Sequence, residues 1–190
     1  MDYLKSTINK ISFLNDEEWS LLSGFIQTKT LSKNEYLLKE GQYCDSIAYI
    51  NSGVLIYFKF FENGKEITID FAFDGDWVTD NLSRLKNEPS SINIKAIENT
   101  EVFMIKQKDI QYLFERIPQL ERLGRILMEQ AFIKIAQHSI DLQVLSAKER
   151  YKKMLQNYPV VFQKVPLYHI ANYLGVAPKS LSRIRNELSK

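Results

Sequence analysis

Histidine and cysteine are close to absent from this sequence, which holds one Cys, at position 44, and two His, at 138 and 169, in 190 residues. That scarcity excludes whole chemistries. A lone thiol can neither close an internal disulfide nor supply a cluster or zinc site that needs several thiolates, so Cys44 reads as a small apolar packing residue. Both histidines fall outside the strand-patterned part of the chain. No metal site built from several histidines can form there, and no imidazole is at hand to activate a serine or Cys44 as a nucleophile. The expectation is a protein that is not an enzyme and carries no metal and no cofactor. Long apolar runs are missing as well. Nothing approaches the roughly 18 to 20 consecutive apolar residues of a membrane span, and MDYLKSTINK lacks the basic-then-apolar layout of a secretion signal. The expected location is cytoplasmic, with no membrane partner.

What is present is core material. Hydrophobic residues make up 45% of the chain and aromatic residues 12%, enough to pack one medium or two small domains. Net charge is only +2, but it is unevenly spread. Residues 147–190 hold nine Lys or Arg against two Glu, a local charge of +7 that leaves −5 for the remainder. A basic module joined to an acidic one fits polyanion binding; it fits equally well a solvated basic surface without a partner.

From Thr28 to Lys106 the chain runs in short apolar or alternating stretches such as SIAYINSGVLIYFKF and FENGKEITIDFAF, broken by turn residues. Asn63-Gly64 predicts a tight hairpin, and Gly41 and Gly53 mark turns about a dozen residues apart. Many short strands with regular turns predict an antiparallel barrel or jelly roll. Ahead of them, DEEWSLLSGF predicts a short helix capped by Asn15 or Asp16 and ending near Gly24. Between Leu120 and Leu145 there is no proline, and apolar residues recur at helical spacing, which predicts one long helix. Gly124, Met128, Ala131, Ile135, His138, Leu142 and Leu145 alternate steps of four and three, a seam suited to an identical helix across a two-fold axis. Ile126, Ile133 and Ile140 form a second stripe, expected to lie on the chain's own barrel. His138, alone in the seam, reads as a packed polar residue.

The last stretch, VPLYHIANYLGVAPKSLSRIRNELSK, places Pro166 and Pro178 at first-turn positions and Gly175 between them, the pattern of helix, tight turn, helix. Leu181, Ile184 and Leu188 share one arc of the second helix, facing Ile170, Ala171 and Leu174 of the first. Lys179, Arg183, Asn186 and Lys190 share the opposite arc, flanked by Ser180 and Ser182. Arg and Asn can read guanine and adenine edges while Lys and Ser suit phosphates, so the stripe fits a recognition helix in a major groove. An ordinary helical hairpin with a charged outer face is the alternative.

The segment IANYLGVAPKSLSRIRNEL resembles the helix-turn-helix of the Crp/Fnr family of bacterial transcription regulators, the cyclic-AMP receptor protein and its relatives. LKEGQYCDSIAYINSGVLIYF resembles that family's cyclic-nucleotide-binding barrel, and FDGDWVTDNL its phosphate-cassette region. The resemblance covers nearly the whole chain, and it extends the long helix from Pro118 to Arg150 without a gap. It implies an α+β fold in three parts: a double-stranded β-helix (jelly roll) of cyclic-nucleotide-binding type over 1–117, a dimerisation helix over 118–145, and a helix-turn-helix over 146–190. It also implies a homodimer, through Met128, Ala131, Ile135 and Leu142, that binds pseudo-palindromic double-stranded DNA, with RNA polymerase and an unidentified small-molecule effector as further partners. Many members continue past the recognition helix into a β hairpin, or wing. With the sequence stopping at Lys190, contact without a wing is expected, and phosphate anchoring falls on AKERYKK, Lys152 and Lys153 in particular, and on Lys190.

The resemblance breaks in the effector pocket. Nucleotide-binding members use a Gly-Glu pair and an Arg-Ser pair; here Thr79 and Asp80 stand for the first, and Ser90 and Ser91 for the second. Without the arginine a buried phosphate is costly to desolvate, unless Arg84 reaches inward to replace it. On the long helix, Ile135 and Ala136 stand where the cyclic-AMP receptor protein offers two hydroxyls. Cyclic AMP is therefore not expected to bind in the usual way, and Asp80 and the two serines remain as polar lining. The competing reading, a ligand-sensing or protein-interaction module whose terminal helices merely pack, predicts no salt-sensitive affinity for duplex DNA.

Overall fold

Two short helices, α1 (Asp2–Asn9) and α2 (Asp16–Ser23), precede the strands. The computed structural model describes residues 1–188. Asn15 caps α2 through a reciprocal pair: its side chain accepts from the Glu18 amide and Glu18 accepts from the Asn15 amide, both at 2.9 Å, which satisfies two amides that a helix start leaves open.

The strands are β1 (Gln27–Leu31), β2 (Tyr36–Leu38), β3 (Ser46–Ser52), β4 (Leu55–Phe60), β5 (Glu66–Ala72), β6 (Trp77–Val78), β7 (Asn93–Ala96) and β8 (Thr100–Lys106), with helix α3 (Asn81–Lys86) between β6 and β7. They form two four-stranded sheets in the orders β1-β8-β3-β6 and β2-β7-β4-β5, the predicted jelly roll. Side-chain alternation divides the packing. On β3 and β8, Ala48, Ile50, Val102 and Met104 join the core between the sheets. Tyr49, Phe103 and Ile105 turn outward onto α1, α2 and the helices that follow the barrel. Burial on both faces explains why these strands read as apolar runs.

At the β4–β5 hairpin, Gly64 has the left-handed φ of +76°, whereas Asn63 keeps a negative φ. The Phe61 amide donates to the Lys65 carbonyl at 2.9 Å, so the loop is a longer one closed by glycine, not the two-residue Asn-Gly turn that was expected. Gly53 is more constrained. Its φ is +112°, and a Cβ there would fall 2.3 Å from Thr100 Oγ1 and 2.6 Å from Thr100 Cα.

After the barrel come α4 (Gln107–Arg116), α5 (Pro118–Val144), α6 (Ala147–Asn157), α7 (Pro159–Lys164), α8 (Leu167–Tyr173) and α9 (Pro178–Leu188). The long helix does not run unbroken to Arg150. It ends at Val144, and Ser146 starts α6 with a second reciprocal cap: its hydroxyl accepts from the Glu149 amide, and the Glu149 carboxylate accepts from the Ser146 amide. Ser-x-x-Glu competes with helix continuation because it supplies an equivalent set of hydrogen bonds. Leu120 and Leu123 of α5 are buried, but Met128, Phe132, Ile135 and Leu142 are exposed. Of the second stripe, Ile126 is half-buried, and Ile133 and Ile140 are exposed, at 65% and 53%.

By its contacts the chain divides into two compact units. One comprises 1–57 and 72–130; the other comprises 58–71, the outer part of the β4–β5 hairpin, with the residues from 131 onward.

Replacing Gly53 with alanine forces its Cβ against the Thr100 backbone at a left-handed φ. A loss of about 3 kcal/mol or more is expected, seen as a lower urea midpoint at unchanged slope; an unchanged midpoint would refute this account of the turn.

Candidate nucleic-acid interface

The turn between α8 and α9 is closed at Gly175, φ +67°, where the Gly175 amide donates to Asn172 O and the Val176 amide to Ala171 O, each at 2.9 Å. This double closure satisfies carbonyls that a helix end leaves open. Arg150 completes it from α6. Its Nε and Nη2 donate to Leu174 O at 3.1 and 2.9 Å, and its Nη1 donates to Leu145 O at the end of α5. Arg150 thus fastens two chain reversals.

Pro178 opens α9, where its missing N–H costs nothing. Leu181 and Ile184 are buried, as are Ile170, Ala171 and Leu174 opposite them, so the inner arc packs as its spacing predicts. Lys179, Ser182, Arg183 and Asn186 face outward, lining one shallow open surface with Glu187. Ser182 Oγ donates to Pro178 O at 3.1 Å, and Ser180 is half-buried. Lys190 lies outside the described residues.

The remaining basic residues are not equivalent. Lys152 is exposed. Lys153, expected to anchor phosphate, is ion-paired to Asp141 at 2.6 Å, where only 15% of the Asp141 side chain is accessible. Burial would raise the Asp141 pKa, but hydrogen bonds from Lys153 and Gln137 outweigh it and hold the carboxyl below the usual range. Arg150 of the same stretch is committed to carbonyls, and Lys148 pairs with Glu187 at 3.1 Å.

Of the residues expected to line the effector pocket, Asp80 and Ser90 meet each other. Asp80 is buried and caps α3, accepting from the Leu82 and Ser83 amides at 3.0 and 3.3 Å. Ser90 is also buried and donates to Asp80 Oδ2 at 2.7 Å. Thr79 Oγ1 donates to Ser46 O at 3.0 Å. Arg84 does not supply the missing cation there: it binds Gln107 Oε1 through Nη1 and Asn81 Oδ1 through Nη2, at 2.5 and 2.7 Å. Ser91 is exposed and joins no buried lining, a departure from the expected pocket. Ile135 and Ala136 belong to the second unit, with Ile135 68% exposed.

Residues 28–117 match the model of the cyclic nucleotide-binding domain. Along 183 residues the chain is 27% identical to the transcriptional activator protein Anr of Pseudomonas protegens, covering 90% of this chain and 74% of that protein. It is 28% identical over 167 residues to the activator anr of Pseudomonas aeruginosa, covering 82% and 68%. Its fold matches FixK2 of Bradyrhizobium japonicum with a TM-score of 0.74 at 17% identity, over 86% of this chain and 84% of that one. Along most of its length the chain is thus similar to transcription regulators of the Crp/Fnr kind, and residues 28–117 match a cyclic nucleotide-binding domain.

One set of contacts is not foreshadowed by the sequence at all. The outer β4–β5 hairpin lies on α8. His169 is 1% exposed, its Nδ1 lying 2.7 Å from Thr68 Oγ1 and 3.3 Å from Glu66 Oε1. Asn172 Nδ2 donates to Glu66 O at 3.0 Å, and Phe71 and Tyr173 rings meet at 5.2 Å. Lys134 pairs with Asp70 at 2.8 Å, while His138 stacks on Tyr173 with ring centroids 4.3 Å apart. The one available signal was a polar residue, His169, on the buried arc of α8.

Burial holds the His138 pKa below its ordinary value of 6.5, opposed in part by Asp70 and Asp141 and aided by Lys134 and Arg150. The unfolded chain therefore takes up the proton first. The stability this neutral ring contributes is complete above about pH 6.5 and is lost as pH falls through the lowered folded value. Denaturant titrations from pH 7.5 to 5 should show falling stability. His138→Phe, which keeps the stacking, should flatten that slope relative to the unmodified protein, and an identical slope in the two would overturn the assignment.

Proposed function

We propose that this protein is a DNA-binding transcription regulator of the Crp/Fnr type that recognises pseudo-palindromic operators as a homodimer. The observation that carries the reading is the division of α9, with Leu181 and Ile184 buried and Lys179, Ser182, Arg183 and Asn186 presented together on an open face. That division leaves base-reading and phosphate-binding groups free on the side a major groove would meet. The name of the Pseudomonas relatives, transcriptional activators, supports it. The working parts are a sensor barrel over 1–117, a dimerisation helix over 118–145 and the reader over 146–190. Exposed Met128, Ile135 and Leu142 on α5, with half-buried Ala131, supply the dimer seam. The protein acts in the cytoplasm, with RNA polymerase as a further partner, and has no enzymatic activity. None of the described helices is long and apolar enough to cross a membrane.

Cyclic AMP is not its effector through the usual pocket. Asp80 already accepts from two amides and Ser90, and Arg84 is held by Gln107 and Asn81. A cyclic phosphate entering there would lose its hydration without gaining a cation.

Gel shifts with a pool of duplexes, at two salt concentrations, should select a site with two half-sites about 34 Å apart, its affinity falling as salt rises. Arg183→Ala should cost about 1 to 3 kcal/mol at that site and relax base preference. Equal losses on selected and random DNA would remove base reading from Arg183, and a protein that sediments as a monomer while still binding the full palindrome tightly would refute the dimer. Calorimetry with cyclic AMP should show no heat of binding at micromolar concentration; a well-fitted isotherm abolished by Asp80→Ala would overturn the effector reading.

A further inference from the structure

Arg150 stands on α6, which follows the long helix, and the hydrogen bonds it makes all go to main-chain oxygens. Its two acceptors are helix ends of the same kind. Leu145 follows the last residue of α5 and donates its amide back to Asp141 O at 3.0 Å. Leu174 follows the last residue of α8 and donates back to Ile170 O, also at 3.0 Å. Each carbonyl is one that a helix terminus leaves open, at the negative end of the helix dipole. The guanidinium lies between them: Nε and Nη2 converge on Leu174 O at 3.1 and 2.9 Å, while Nη1 reaches Leu145 O.

A planar fork that holds two oxygens at once fixes a direction as well as a distance. Two other contacts tie the end of α5 to its neighbours in the second unit. His138 stacks on Tyr173 with ring centroids 4.3 Å apart, a contact that tolerates a range of ring offsets. Lys153 pairs with Asp141 at 2.6 Å, through a flexible stem that carries a point charge. Neither fixes the angle between the ends of α5 and α8, as the Arg150 fork does. Helix α9 packs on α8 with Leu181 and Ile184 buried, so it follows that angle. In a dimer joined along Ile135 and Leu142, the two-fold axis applies the angle twice, and any tilt of one reader appears doubled in their separation. We infer that Arg150 is a positioning residue for operator reading, one that sets the spacing between the two half-sites. The inference rests on the DNA-reading homodimer proposed above. Arg150 acts through α8 and α9 rather than on a base.

The test uses the full chain and duplexes in which two copies of its selected half-site are separated by spacers that differ by single base pairs. One base pair moves a half-site by about 3.4 Å and turns it about the duplex axis. The unmodified protein should therefore bind one spacer about tenfold more tightly than its neighbours. Arg150→Lys keeps the charge without the planar fork. It should lose about tenfold at the preferred spacer and bind the neighbouring spacers within about threefold of it, because the readers are no longer held in advance. Base changes inside a half-site should cost this variant as much as they cost the unmodified protein. Gly53→Ala, destabilised in the barrel, should leave the relative profile unchanged. An unaltered profile in Arg150→Lys, or the same flattening in Gly53→Ala, would overturn the inference and leave the DNA-reading dimer in place. A flat profile in the unmodified protein would overturn both. If Arg150→Lys fails to fold, Arg150→Gln, whose amide reaches one carbonyl at a time, should flatten the profile in the same way, and an unaltered profile there overturns the inference equally.

Discussion

A buried imidazole must have its ring nitrogens answered, and in the second unit His169 imposes that demand. Its side chain is 1% exposed on α8, and its Nδ1 is met by Thr68 Oγ1 at 2.7 Å, from a strand about a hundred residues earlier. Which of the two donates depends on the ring's tautomer, and separation of the two would leave a polar group stranded among apolar ones. Around this link the Asn172 hydrogen bond and the Phe71–Tyr173 contact fall into register. The first helix of the helix-turn-helix is thereby held against the tip of the β4–β5 hairpin, and α9 is held in turn against α8.

Charge in the basic tail is divided between structure and surface. Arg150 caps the ends of α5 and α8, Lys153 neutralises a largely buried carboxylate, and Lys148 pairs across to α9. A carbonyl or carboxylate partner inside the unit holds such a side chain more firmly than a solvent-screened phosphate could. The local charge of +7 therefore overstates the cations presented to a polyanion. Those that remain on the outer arc of α9 occupy one face because the other is spent on Leu181 and Ile184.

A similar substitution of internal for external partners shapes the barrel. At the position where the family resemblance implied an acid for a ligand, Asp80 caps a helix and Ser90 closes onto Asp80. A buried carboxylate needs donors, and amides and a hydroxyl supply them here.

How much of this was legible beforehand follows from the range of the interactions. Period-two alternation, the glycine turns, Pro178 and Gly175, and the Leu181–Ile184 arc are encoded within a few residues, so the sequence alone determined the jelly roll, the terminal two-helix unit and the outward stripe on α9. Family resemblance added the likeness to cyclic-nucleotide-binding barrels. Local chemistry also ended α5 at Val144 through Ser146 and Glu149, within a residue of where the helical periodicity placed the end of the long helix. Pairings distant along the chain were decided only by the tertiary structure. Nothing near Thr68 announces His169, and nothing near Lys153 announces Asp141. Periodicity shows which face of an element is buried but not what covers it, because the covering group is chosen by the closure of the whole chain.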